Sequence, residues 1–223
     1  MNSFDQIWEQ IHASRGWGQY PSEHVIRFVA RNFYNQDRKQ IRILDFGCGG
    51  GAHTWYLARE GFDVYGFDGS PSAVKATEKK LENDGLKADL RVLDGVKMNY
   101  ENDFFDAIID NVTIYANRYE AIEMMYKGCY EILRSGGKLF TSCITPHTDG
   151  YGTGEKIDEY TFRNATKGCV QGQGIIHYMT EDRLKSCLAK IGFQDIEIDH
   201  LFYTDHGIKI DMLIGKAEKS TFI

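Results

Sequence analysis

At 223 residues, with 42% apolar side chains, the chain is long enough to bury a sizeable core as one domain. A net charge of −6 and the lack of any long Lys/Arg run exclude a tracker of nucleic-acid phosphates, and no apolar run reaches transmembrane length, so neither nucleic acid nor membrane is an expected partner. The five cysteines are odd in number and never at C-x-x-C spacing, and residues 1–5 have neither the basic nor the apolar region of a secretory leader, so a reduced, cytoplasmic protein without disulfides or zinc is expected.

In chain order, Phe4, Ile7, Trp8 and Ile11 recur at helical spacing and predict a short amphipathic helix over residues 3–13. Ser22 caps a second helix that carries Val25, Phe28, Val29 and Phe33 on one face. Residues 1–38 thus read as a helical cap on one domain spanning 1–223. Strands and helices then alternate over residues 39–143. Strands are expected at Ile41–Phe46, Val64–Phe67, Leu90–Leu93, Phe105–Ile109 and Lys138–Cys143. Helices are expected from Ala52 to Glu60, from Ser70-Pro71 to Gly85, and along Ile122, Met125, Tyr126, Cys129, Ile132 and Leu133 to Gly136.

Residues 144–176 show no period and are read as a long loop or lid. Residues 177–223 hold a helix capped by Thr180 and stopped by Gly192, then two strands, Phe193–Ile198 and Ile208–Ile214, read as an antiparallel pair. Strand–helix alternation predicts a doubly wound α/β fold, its sheet mostly parallel with helices on both faces. Ligands on such sheets bind at the carboxyl ends of the strands.

The densest motif sits at the first such end: Ile43-Leu44-Asp45-Phe46-Gly47-Cys48-Gly49-Gly50-Gly51. Gly47-x-Gly49-x-x-Ala52 matches the dinucleotide fingerprint, and Asp68 lies about 20 residues on, placed to accept from a ribose. That pattern alone admits an NAD(P)-dependent oxidoreductase. Asp45 argues against it, because a carboxylate beside the turn repels a pyrophosphate but attracts an ammonium and a sulfonium. A third acid, Asp94 in Leu93-Asp94-Gly95, closes the next strand, placed for an adenine amino group.

With these residues the chain resembles the class I S-adenosylmethionine-dependent methyltransferases. Val64-Tyr65-Gly66-Phe67-Asp68-Gly69-Ser70, Phe105-Asp106-Ala107-Ile108-Ile109-Asp110 and Glu131-Ile132-Leu133-Arg134-Ser135-Gly136-Gly137-Lys138-Leu139 extend the likeness over about residues 41–143. Ser135 stands where the family often has proline. The resemblance implies a seven-stranded sheet with one antiparallel strand. It also implies S-adenosylmethionine as cofactor, S-adenosylhomocysteine as product, and a small-molecule acceptor such as a sugar or a surface-polysaccharide precursor, methylated on oxygen or nitrogen.

Expected cofactor contacts are Asp45, Gly47, Cys48 and Gly49 on the methionyl part, Asp68, Gly69 and Ser70 on the ribose, and Asp94 and Gly95 on the adenine. Asp110 and Asn111 follow the fourth strand and face the sulfonium. Trp17 and Tyr20, aromatic residues among glycines, are candidates for a lid that attracts a cation. Tyr151, Tyr160, Arg163 and Tyr178 are candidates for the acceptor site, and His177 or His147 for a general base. His147, Asp149 and His177 have no recognised ligand spacing, so no metal is expected. A protein that binds S-adenosylmethionine without chemistry is the other alternative.

Overall fold

The computed structural model describes residues 3–16 and 18–220. Its main sheet has seven strands in the order β3-β2-β1-β4-β5-β10-β9. These are β1 (Arg42–Phe46), β2 (Asp63–Asp68), β3 (Asp89–Val92), β4 (Phe105–Asn111), β5 (Leu133–Ile144), β9 (Phe193–Asp205) and β10 (Ile208–Lys219). Strands β1 to β5 run parallel, and β10 lies antiparallel to both of its neighbours. The expected mostly parallel sheet with one antiparallel strand is therefore the observed one.

Neighbouring strand residues point to opposite faces and so build two cores. Leu44, Ile108, Leu139 and Leu213 join one cluster with α5 (Tyr119–Ile132) and α6 (Glu181–Ile191). Ile43, Ile109, Phe140 and Ile214 join the other with α2 (Glu23–Phe33) and α3 (Ala52–Arg59). Both faces are thus covered, which is why adjacent residues at the centre of β1 and β4, Ile43-Leu44 and Ala107-Ile108-Ile109, are all apolar. Helix α4 (Pro71–Asn83) starts at Ser70, whose hydroxyl accepts the Ala73 N–H at 3.1 Å. Among the described residues no helix is long and apolar enough to cross a membrane.

Three expectations change. Helix α1 is shorter than the stripe suggested (Ile7–Ser14), because Ser3 and Phe4 are held in non-helical backbone by Asp94. The stretch 144–176 is not a bare loop but carries a small antiparallel sheet, β6 (Glu155–Lys156), β7 (Thr161–Arg163) and β8 (Ile175–His177). Finally, β5 begins directly at the end of α5, and β9 and β10 each run several residues beyond the expected span.

Candidate active site

The carboxyl ends of β1, β2, β3 and β4 open into one cavity. Its floor is the turn Gly47-Cys48-Gly49-Gly50. Gly47 has φ +71°, and a Cβ there would come within 2.2 Å of the Thr113 Cγ2, so the turn must be glycine both for its backbone and for its packing. Cys48 lines the cavity, but burial and the nearby Asp45 and Asp68 carboxylates push its thiol well up, so it is no thiolate nucleophile.

Asp68 ends β2 on the cavity wall. Its Oδ2 accepts the Gly49 N–H at 3.0 Å and its Oδ1 the Ser70 N–H at 2.8 Å. Burial raises its pKa, and the two N–H groups with nearby His12 partly offset that rise. Each carboxylate oxygen thus keeps accepting capacity toward the cavity, as a vicinal diol requires. Phe46, Phe67, Leu93 and Met125 add apolar wall of the kind a purine ring fits between.

The other acids are used differently. Asp45 is 1% exposed and lies behind the turn, where it accepts the Thr54 hydroxyl at 2.6 Å; burial raises its pKa while His53 and Thr54 lower it. It steadies the start of α3 and does not line the cavity. Asp94 sits between the wall residues Leu93 and Gly95, and its carboxylate takes the backbone N–H of Ser3 at 2.7 Å, of Phe4 at 3.1 Å and of Val96 at 3.1 Å, besides the Ser3 hydroxyl. Burial would raise Asp94, but these bonds outweigh it and hold the carboxyl below its ordinary range. Asp94, the acid expected on the adenine side, is therefore engaged by the N-terminal segment.

Asp110 needs a correction. It does not face the cavity: it accepts the Thr113 and Ile114 N–H groups at 3.1 and 3.0 Å and the Thr141 hydroxyl at 2.5 Å, fully buried. Burial raises it to about 6 despite those bonds. Its neighbour Asn111 does line the cavity, with Val112 and Thr113. Gly69 also lines it, whereas Ser70 is taken up in capping α4 and in donating to Glu9.

The N-terminal segment forms the roof. Phe4, Asp5, Trp8 and His12 line the cavity from above. The Phe4 ring packs so closely on Gly69 that a Cβ there would lie 2.0 Å from it. Glu9 receives bonds from the hydroxyls of Ser70 and Ser72, fastening α1 to the start of α4. The cavity is thus covered by α1 and the residues just before it. Tyr20 is 83% exposed and lies off the cavity, and Trp17 falls outside the described residues. Part of the signal was present in the sequence: Trp8 and His12 lie four apart on one face of α1, but a stripe does not say whether it faces core or cavity.

The two expected bases are also displaced. His147 is exposed on the turn after β5 and does not reach the cavity. His177 is 0% exposed: its ring lies 5.1 Å from that of Tyr119 and 6.4 Å from that of Tyr160, and Thr161 Oγ1 sits 2.7 Å from its Nδ1. Burial and Arg183 push its pKa down to about 4, with Asp158 opposing. It packs the small sheet against α5. The imidazoles on the cavity wall are His12 and His53. His53 Nε2 already accepts the Ser22 N–H at 3.2 Å.

Beside the cavity lies an open groove of about 790 Å³ that shares Ser3, Phe4, Asp5 and Asn117 with it. Of the four acceptor-site candidates, Arg163 lines this groove; Tyr151 stacks on Tyr160 and meets Tyr178 and Phe162 edge-on, and none of the three tyrosines lines it.

Comparison with known proteins agrees with this architecture. Residues 43–137 match a family described as Methyltransferase domain. The chain is similar to the ubiquinone biosynthesis O-methyltransferase of Brucella anthropi, 25% identical over 157 residues, which is 70% of this chain and 61% of that protein. It spans 61–62% of the length of the first curated relatives it matches. Its fold is similar to that of a SAM-dependent methyltransferase from Methanosarcina mazei (TM-score 0.71, 23% identity, covering 85% of this chain and 97% of that one). It is also similar to that of a magnesium protoporphyrin IX methyltransferase from Synechocystis with bound SAM (TM-score 0.61, 16% identity, covering 96% and 80%).

Proposed function

We propose that this chain, which belongs to the class I S-adenosylmethionine-dependent methyltransferases, transfers the methyl group of S-adenosylmethionine to an oxygen or nitrogen of a small-molecule acceptor by in-line displacement and releases S-adenosylhomocysteine. The observation that carries the reading is Asp68: a carboxylate on the cavity wall, clamped by Gly49 and Ser70, at the end of the strand next to the glycine turn. That position suits an adenosine ribose. Asp45, behind the turn, would repel a pyrophosphate, which disfavours a dinucleotide. The relatives named as O-methyltransferases favour oxygen as the accepting atom. The polar groove favours a hydrophilic acceptor of the kind a sugar or polysaccharide precursor provides.

When bound, the cofactor supplies a methyl group already activated on a sulfonium. The chain then has to orient donor and acceptor and exclude water, which can be worth about 7–11 kcal/mol of the barrier. The roof of Phe4 and Trp8 would shut water out, while the backbone of Gly47 and Gly49 holds the methionyl part. His12 is the proton acceptor in this reading. Burial lowers its pKa, outweighing the pull of Asp68 and Glu9, so its imidazole is neutral at pH 7.

The test is release of S-adenosylhomocysteine from S-adenosylmethionine with pooled hydroxyl and amine acceptors. Turnover with one pool is expected; cofactor binding without turnover on any pool would favour a non-catalytic binder, and NADH binding in its place an oxidoreductase.

A further inference from the structure

The groove next to the cavity carries two arginines, beside the carboxylates of Asp5 and Glu120. Asp5 and Asn117 lie on the wall it shares with the cavity. Arg118 and Arg163 line the groove but not the cavity. They come from separate elements: Arg118 immediately precedes α5, and Arg163 ends β7 in the small sheet, paired across to Ile175. Among the described residues neither guanidinium has an ion pair, a hydrogen bond or an aromatic face as partner. Most other arginines of the chain do: Arg27, Arg38, Arg42, Arg91 and Arg134 pair with carboxylates, and Arg183 stacks on Tyr119.

The carboxylates in the groove do not quench this pair. Asp5, on the shared wall, accepts the Ile7 N–H at 3.1 Å, and Glu120, in the first turn of α5, is exposed. Neither is bonded to Arg118 or Arg163. Two such guanidiniums lining one groove offer paired N–H donors of the kind a planar or tetrahedral oxyanion accepts from.

Building on the methyltransferase reading above, we propose that this groove seats the methyl acceptor and that Arg118 and Arg163 bind an anionic group, carboxylate or phosphate, at the end of the acceptor remote from the reacting atom. The accepting hydroxyl or amine then lies at the shared wall, beside Asp5 and Asn117, where the groove meets the cofactor cavity. The substrate class is a small polar acid or phosphate ester with its nucleophile at the opposite end. No neutral sugar meets that description; a sugar phosphate or a uronic acid does.

The test uses the enzyme saturated with S-adenosylhomocysteine and three probes of one size: phenyl phosphate, benzoate and benzyl alcohol, titrated by calorimetry. Binding of at least one anionic probe and not of the alcohol is expected, and the two anions tell phosphate from carboxylate. Arg118→Ala and Arg163→Ala should each weaken the anion at least about tenfold, with Arg163→Lys retaining part of the affinity. Affinity for S-adenosylhomocysteine should be the same in all variants, which also reports on folding. Equal binding of the anion to wild type and variants, equal binding of the alcohol, or no anion binding overturns the proposal. If S-adenosylhomocysteine itself does not bind the wild type, the methyltransferase reading fails instead, and the same titrations without it still read the arginine pair.

Discussion

Asp68 Oδ2 accepts the backbone N–H of Gly49 at 3.0 Å, so the acid that ends β2 holds the glycine turn that ends β1. With Ser70 N–H on its other oxygen at 2.8 Å, this one carboxylate fixes both the turn and the start of α4. An asparagine can keep only one of those acceptors and turns an amide donor toward the other N–H. Asp68→Asn should therefore cost about 1–3 kcal/mol of stability, read from chemical denaturation, besides weakening the cofactor. An unchanged midpoint would mean the clamp contributes nothing.

Gly47 is constrained by backbone and by packing, and the two can be separated. Gly47→Ala should destabilise the fold through both the left-handed φ and the contact with Thr113. Adding Thr113→Gly, which also removes the Thr113 Cβ at 2.8 Å, should recover the packing part relative to that variant alone and leave about 1–2 kcal/mol of backbone strain. Full recovery in the double variant would show that φ +71° carries no strain at this position.

The proton-accepting role given to His12 fixes a pH profile. Its pKa is lowered by burial, so the neutral base persists below the ordinary imidazole value and the acid limb of the rate should lie below pH 6.5. His12→Gln should abolish that limb and slow turnover by about 10²–10⁴. Retention of the limb in the variant would assign the proton to another group.

Two buried groups should drive stability in opposite directions across one pH window. His177 titrates at about 4 when folded against 6.5 when free, so the stability it contributes is complete above pH 6.5 and lost as pH falls through 4. Asp110 titrates at about 6 when folded against 3.8, so its contribution is complete below pH 3.8 and lost as pH rises through 6. Each amounts to about 3 kcal/mol and they largely cancel. Relative to wild type, Asp110→Asn should gain stability as pH rises from 4 to 6, and His177→Gln should lose it. Parallel pH curves for all three proteins would contradict both assignments.

Much of the fold was legible because its signals are local. Ser70-Pro71, Thr180 and Gly192 bound their helices as their types imply, and the apolar runs of β1 and β4 gave away a sheet covered on both faces. The small sheet was not legible: its strands are two or three residues long, and Phe162 meets Ile176 only through folding. Asp68 and Asp110 read alike, each an acid closing a strand. They differ because the chain after Asp110 folds back to present the N–H groups of Thr113 and Ile114, which burial of the carboxylate then requires. His177 had the right chemistry for a base, but its burial between Tyr119 and Tyr160 depends on contacts no local pattern encodes. The proposed arginine pair is of the same kind, since Arg118 and Arg163 come from separate elements and share only the lining of one groove.

The most direct test of the central claim is a calorimetric titration of S-adenosylhomocysteine into the wild type and into Asp68→Ala. Stoichiometric binding to the wild type is expected, with at least about a hundredfold loss in the variant, as the removal of a charged acceptor from two ribose hydroxyls implies. Equal affinity in the two proteins, or no binding to the wild type, would contradict it.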